Sequence, residues 1–153
     1  MFTLQIYKIF RYFCIVKIKL LGKNTRELCG IAADCGLKPF VGRQIADWLY
    51  AKRVTSWDRM VNISRESKAR LQEHCELGTR EAVGSALSSD GTAKYLFPAG
   101  ESDAVEAVVI PDEDRRTLCV SSQAGCRMGC RFCMTGRQGW HGNLDVADIL
   151  NQF

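Results

Sequence analysis

The chain has 153 residues, 46% of them hydrophobic and 25% charged, with three prolines and a net charge of +4. This is ordinary globular composition, and it excludes collagen-like, low-complexity and strongly disordered classes. The length allows one sizeable core, or a small domain joined to part of a larger one.

Residues 1–21 are apolar but interrupted by Lys8, Arg11, Lys17 and Lys19, and no small-residue cleavage site follows. Neither a signal peptide nor a membrane span fits such a stretch. Residues 1–19 stand apart as a leader, and Met1 need not be the biological start. Without a secretory signal, the eight cysteines imply a reducing, cytoplasmic setting. Clustered thiols there mean metal or catalysis more often than bridges. Charge is unevenly spread, with fifteen of the 21 Lys and Arg in residues 1–80. A basic half suits a polyanion such as RNA. Five of these cations fall in residues 1–23, however, and a solvated surface explains the rest about as well.

From Asn24 the pattern turns helical. Leu28, Ile31, Ala32 and Cys35 recur at helical spacing, with Asn24 or Thr25 as N-cap and Gly36 as the stop. A second helix, "GRQIADWLYAKR", carries Val41, Ile45, Trp48 and Leu49 on or beside one face. "TSWDRM" reads as a short third helix, and Ser64 caps a fourth, "RESKARLQEHCEL", with Leu71 and Cys75 inward. Trp48 and Trp57 read as core rather than as a base-stacking platform, and Cys29, Cys35 and Cys75 as small buried hydrophobes. Near Arg80 the period shortens to two. "EAVGSAL" and "TAKYLFP" flank Asp90-Gly91, a hairpin signal, and "AVEAVVIP" completes a three-stranded meander ended by Pro111. "TLCVSSQ" (117–123) reads as a further strand feeding a cysteine loop, and "NLDVADILNQF" opens a helix with Asn143 as cap.

The loop between them, "GCRMGCRFCMTG", places Cys126, Cys130 and Cys133 at Cys-x3-Cys-x2-Cys spacing. Thiolates bind zinc or iron–sulfur clusters. A cubane [4Fe–4S] cluster on three cysteines leaves one iron without a protein ligand, free to take a small chelator such as S-adenosylmethionine. The competing reading is a zinc site completed by Cys119 or His141. Zinc ligands usually come as two knuckles a dozen or more residues apart, and one compact triplet favours the cluster.

The triplet, with an aromatic residue before its last cysteine, resembles the radical S-adenosylmethionine superfamily. "VEAVVIPDEDRRTLCVSSQAGCRMGCRFCMTGRQGWHGNL", "GLKPFVGRQIADWLYAKRVTSWDRMVNIS" and "DGTAKYLF" together resemble one family within it, the dual-specificity RNA methyltransferases that methylate adenine C2 in 23S rRNA and tRNA. The resemblance spans residues from about 20 to 153.

It implies a mixed fold. A small α+β part comes first, with a helical domain (20–79) and an accessory β-meander (80–111), followed by the start of a truncated α/β partial (β/α) radical-SAM barrel (112–153). It implies that Cys126, Cys130 and Cys133 hold the [4Fe–4S] cluster and that S-adenosylmethionine is the second cofactor. It implies Glu106 as proton acceptor. Cys119 is implied as the thiol that resolves a covalent enzyme–RNA adduct, forming a disulfide with a methyl-carrying cysteine that has no counterpart here. By the residues alone, Glu106 is an ordinary outward strand residue and Cys119 a buried strand thiol. Implied partners are ribosomal RNA and tRNA and a flavodoxin-like electron donor. No membrane association is expected, and the full-length enzyme is expected to be monomeric. Family members run to more than twice this length, so the chain is expected to be an N-terminal fragment, inactive alone. Two alternatives stand: an adenine-C8 methyltransferase conferring antibiotic resistance, and a non-enzymatic zinc-dependent RNA-binding module.

Overall fold

A computed structural model of the chain describes residues 17–100 and 103–153, so all but the end of the expected leader lies outside the described residues. The chain divides into two compact units, one ending at Leu77 and the other beginning at Gly78.

The first unit starts earlier than expected. Ile18–Lys19 (β1) pairs in parallel with Cys75–Glu76 (β2), Ile18 opposite Cys75. The pairing continues through Leu20 and Leu21, whose N–H groups donate to Glu76 and Leu77 carbonyls at 2.9 Å. Helix α1 (Thr25–Asp34) opens with a capping box: Asn24 Oδ1 accepts from Glu27 N at 3.0 Å, and the Glu27 carboxylate accepts from Asn24 N at 2.7 Å. Helix α2 (Phe40–Ala46) runs on into a wider turn at Asp47–Ala51. A short turn at Trp57–Arg59 begins at Ser56, whose hydroxyl accepts from Asp58 N. Ser64 caps α3 (Arg65–His74) through Ser67 N. Leu20, Leu28, Ile45, Met60, Leu71 and Cys75 are almost wholly buried in one core. Trp48 and Trp57 pack half-buried against it, as expected of core residues. The Trp48 indole N–H donates to Asn62 Oδ1, and the Lys52 ammonium lies 3.7 Å above its ring.

The second unit is built on a four-stranded antiparallel meander: β3 (Gly84–Leu87), β4 (Ala93–Ala99), β5 (Asp103–Asp112) and β6 (Arg115–Cys119). The Asp90-Gly91 turn forms as expected, with Asp90 Oδ1 accepting from Thr92 N at 3.0 Å. Two expectations need correction here. The meander does not end at Pro111, which lies inside β5 opposite Arg116; the chain turns back only at Glu113–Asp114 and adds a fourth strand. Nor is 117–123 one strand. Its first three residues pair with β5, whereas Gln123–Gly125 (β7) pairs antiparallel with Trp140–Asn143 (β8). The physical reason is hydrogen bonding: Thr117 and Cys119 find partners in Ile110 and Val108, which commits this stretch to the meander. Between β7 and β8 lies a short helix, α4 (Met134–Arg137), and after β8 comes α5 (Val146–Leu150). Because Asn143 is engaged in β8, the cap of α5 is Asp145, whose side chain accepts from Asp148 N at 2.8 Å. Among the described residues no helix is long and apolar enough to cross a membrane.

Strand alternation sorts the meander into two faces. Phe97, Ala99, Val105 and Ala107 share one; Ala99 and Val105 pack there with Ala124, Phe97 and Leu144. Lys94, Leu96, Glu106, Val108, Ile110 and Cys119 share the other. That face holds Leu96 and Ile110 at 37% and 42% exposure, and it carries two of the expected site residues.

Candidate functional site

Glu106 and Cys119 come together on the open sheet face. Cys119 stands directly opposite Val108, two residues along β5 from Glu106. The two are therefore diagonal neighbours, about 7–8 Å apart in a regular antiparallel ladder. Cys119 is an exposed free thiol rather than a buried one, because it ends the β5–β6 ladder on the open face. The Glu106 carboxylate is half exposed and pairs with the Lys94 ammonium at 3.3 Å across the ladder. An exposed thiol and a carboxylate held beside a cation are thus two groups of different chemistry on one sheet face. Lys94 was not among the residues singled out by sequence, since a cross-strand pair becomes visible only once the register is known.

Cys119 leads within seven residues to the cysteine loop. The base of that loop is closed where Cys126 N donates to Gly139 O at 2.8 Å. The close approach depends on Gly125, whose backbone is left-handed at φ 69° and where a Cβ would fall 1.8 Å from Gly139 O. The Arg127 guanidinium stacks 3.7 Å over the Trp140 ring, a second tie across the base. Cys133 precedes α4, and the backbone N–H of Gly136, followed by the N–H and hydroxyl of Thr135, holds its thiol below the ordinary range. Such an environment favours the thiolate, the form that ligates metals.

Cys126, Cys130 and Cys133 are all free and half-buried. Three unbridged thiols on one short loop, one already biased to thiolate, fit an iron–sulfur cluster in donor chemistry. Their convergence is not preset: among the described residues, no three His, Cys, Asp or Glu side chains group around one point to hold a metal ion. All seven described cysteines are free thiols, and the cysteine expected to pair with Cys119 has no counterpart in this sequence.

His141, one of the two residues considered for completing a zinc site, is engaged elsewhere. Its Nδ1–H donates to Asp103 Oδ1 at 2.7 Å and its Nε2–H to Gln138 O at 3.1 Å. These bonds, the Gln138 carbonyl first and the Asp103 carboxylate next, raise the imidazole above its ordinary pKa. Both ring nitrogens thus face oxygen acceptors of the protein in this arrangement.

Residues 18–77 match the family described as the ribosomal RNA large subunit methyltransferase N-terminal domain. A probable dual-specificity RNA methyltransferase RlmN from Porphyromonas gingivalis is 50% identical over 136 residues, 89% of this chain and 39% of that protein. The chain resembles RNA methyltransferases of this family. A dual-specificity RNA methyltransferase RlmN from Marinomonas sp. is 41% identical over 140 residues. A solved radical SAM methyltransferase from Sphaerobacter thermophilus matches with a TM-score of 0.80 and 32% identity, over 88% of this chain and 40% of that one. The chain thus spans about two-fifths of the length of the relatives it matches. The helical and sheet-rich regions both fall within that similarity.

Proposed function

We propose that these residues serve a radical S-adenosylmethionine methyltransferase that methylates C2 of adenine in large-subunit rRNA and tRNA through a methylated cysteine. The observation that carries this reading is the placement of the Cys119 thiol beside Glu106 on an open sheet face, seven residues before a Cys-x3-Cys-x2-Cys loop. Cys126, Cys130 and Cys133 would hold a [4Fe–4S] cluster that works together with S-adenosylmethionine. The cluster, when bound, supplies the electron that cleaves the sulfonium.

The remaining chemistry belongs to side chains of the sheet. Glu106 accepts the proton lost from adenine C2, and Lys94 offsets the negative charge of the carboxylate in its working form. Cys119, exposed and unbridged, attacks as thiolate the sulfur of the methyl-carrying cysteine of the whole enzyme. The S–S bond forms as the S–C bond to the RNA breaks, and the carbon leaves with the electron pair and takes a proton to complete the methyl group. Residues 112–153 open the partial (β/α) barrel of the whole enzyme. A flavodoxin-like donor, a cytoplasmic location and a monomeric whole enzyme complete the reading, as does inactivity of these residues on their own.

The test uses a chimera in which residues 20–153 replace the matching segment of the Porphyromonas gingivalis relative. With RNA, S-adenosylmethionine and a reductant it should yield 2-methyladenosine. Its Cys119→Ala form should fold yet stall as a nuclease-sensitive protein–RNA adduct on a denaturing gel. Free product at the parental rate from Cys119→Ala would return Cys119 to a structural role, and 8-methyladenosine would overturn the C2 assignment.

A further inference from the structure

Gln152 is a buried polar side chain, 3% exposed, and its amide is fully used. Oε1 accepts from Ser121 N at 2.7 Å; Nε2 donates to Ser121 O at 2.9 Å and to Asp148 O at 3.1 Å. Ser121 lies in the passage between β6 and β7. There the ladder with β5 has ended at Cys119 and the ladder with β8 begins only at Gln123. A primary amide carries the donor and acceptor of a peptide group. Gln152 therefore pairs with Ser121 as a residue of a neighbouring strand would. The Ser121 hydroxyl in turn donates to Glu106 O at 2.9 Å.

Both ends of the passage matter to the site: Cys119 closes one side, and the loop opening at Cys126 lies beyond the other. The same turn of chain grips two further backbone segments. Asn151 binds Gly78 O at 2.9 Å and Arg80 N at 3.0 Å, and Asp148 accepts from Gly100 N at 3.3 Å. Of these three side chains, Gln152 is the one that reaches the passage between Cys119 and the cysteine loop. An apolar residue of similar size would remove the partners of two part-buried backbone groups of Ser121, which is the reason an amide belongs there.

We infer that Gln152 is a positioning residue, pinning Ser121 so that Cys119 and Glu106 stand at a fixed place relative to the Cys126–Cys133 loop. The inference rests on the roles proposed above for those residues. It requires no contact between Gln152 and substrate.

The test compares the 153-residue chain with its Gln152→Leu and Gln152→Glu forms. Three readouts are taken: hydrogen exchange at the Ser121 amide, iodoacetamide labelling of Cys119 relative to the loop cysteines, and iron uptake. Gln152→Leu should exchange the Ser121 amide at least about tenfold faster and change the Cys119 labelling ratio, with the β5–β6 ladder still protected. Gln152→Glu should behave like the parent while its carboxyl is protonated, since the acid O–H replaces the Nε2 donor to Ser121 O, and lose protection once ionised. The parent chain, titrated alongside, accounts for Asp145 and Asp148 on the same helix. Should Gln152→Leu fail to fold, recovery of Gln152→Glu at low pH decides. Unchanged Ser121 exchange in both variants overturns the clasp. Lost Ser121 protection with no iron uptake even in the parent overturns the functional reading beneath it, and with it the positioning role.

Discussion

Replacing Gly125 by alanine should open the base of the cysteine loop, and replacing Gly129 should not. Both glycines hold left-handed backbone, φ 69° and 60°, so each alanine meets a similar conformational penalty of about 1–2 kcal/mol. Their surroundings differ. A Cβ at Gly125 falls 1.8 Å from Gly139 O, while at Gly129 it finds no heavy atom within 4 Å. Relief at Gly125 needs the Gly139 carbonyl to retreat from 1.8 Å to at least 3.0 Å, and that carbonyl accepts the 2.8 Å bond from Cys126 N. Losing the bond costs about 1 kcal/mol, and displaced contacts in the hairpin add to it. The two variants should then differ by about 2 kcal/mol, a factor of about 30 in an opening equilibrium. Native-state hydrogen exchange at the Cys126 amide reads this directly, where a melt of the whole chain would mix its two units. Equal protection of that amide in the two variants would refute the steric reasoning.

Leu71→Ala removes a fully buried side chain of the helical unit and should cost about 2–5 kcal/mol, seen as an earlier loss of Trp48 and Trp57 fluorescence on heating; an unchanged midpoint would contradict it. Burial, and then the neighbouring Cys35 thiol, pushes the Cys75 thiol up to about 12, so native Cys75 should resist iodoacetamide at neutral pH. Cys133, with its thiol lowered, should be labelled first among the three loop cysteines. His141 is raised above 6.5 in the folded chain, so its contribution is complete below the unfolded value and lost as pH rises through the folded one. An NMR titration placing His141 below 6.5 would reverse that sign. Asp90 is lowered by the Thr92 N–H and hydroxyl, so the β3–β4 turn should loosen as pH falls through its folded value, and Asp90→Asn should weaken that dependence.

The helical unit was legible because its signals are local. Asn24 and Ser64 cap their helices through bonds spanning three residues, and the apolar spacing of Leu28, Ala32, Ile45 and Leu71 names the core. The sheet was legible in its strands and less so in its pairings. Nothing within 117–123 says that Thr117 and Cys119 will find partners in β5 while Gln123 finds one in β8; that choice is made by residues far along the chain. Asn143 looked like a cap because Asn often is one, but pairing in β8 claimed it and Asp145 took the role. The site residues divide in the same way. The three-cysteine spacing announces itself, whereas Lys94 and Gln152 act across 12 and 31 positions and leave no local mark.

The central claim is that Cys126, Cys130 and Cys133 hold an iron–sulfur cluster. Anaerobic reconstitution of the chain with iron and sulfide, followed by metal and labile-sulfide analysis, tests it most directly. The expected result is about four irons per chain with matching sulfide, abolished in each of Cys126→Ala, Cys130→Ala and Cys133→Ala. One zinc without sulfide, or full iron content in all three variants, would contradict it.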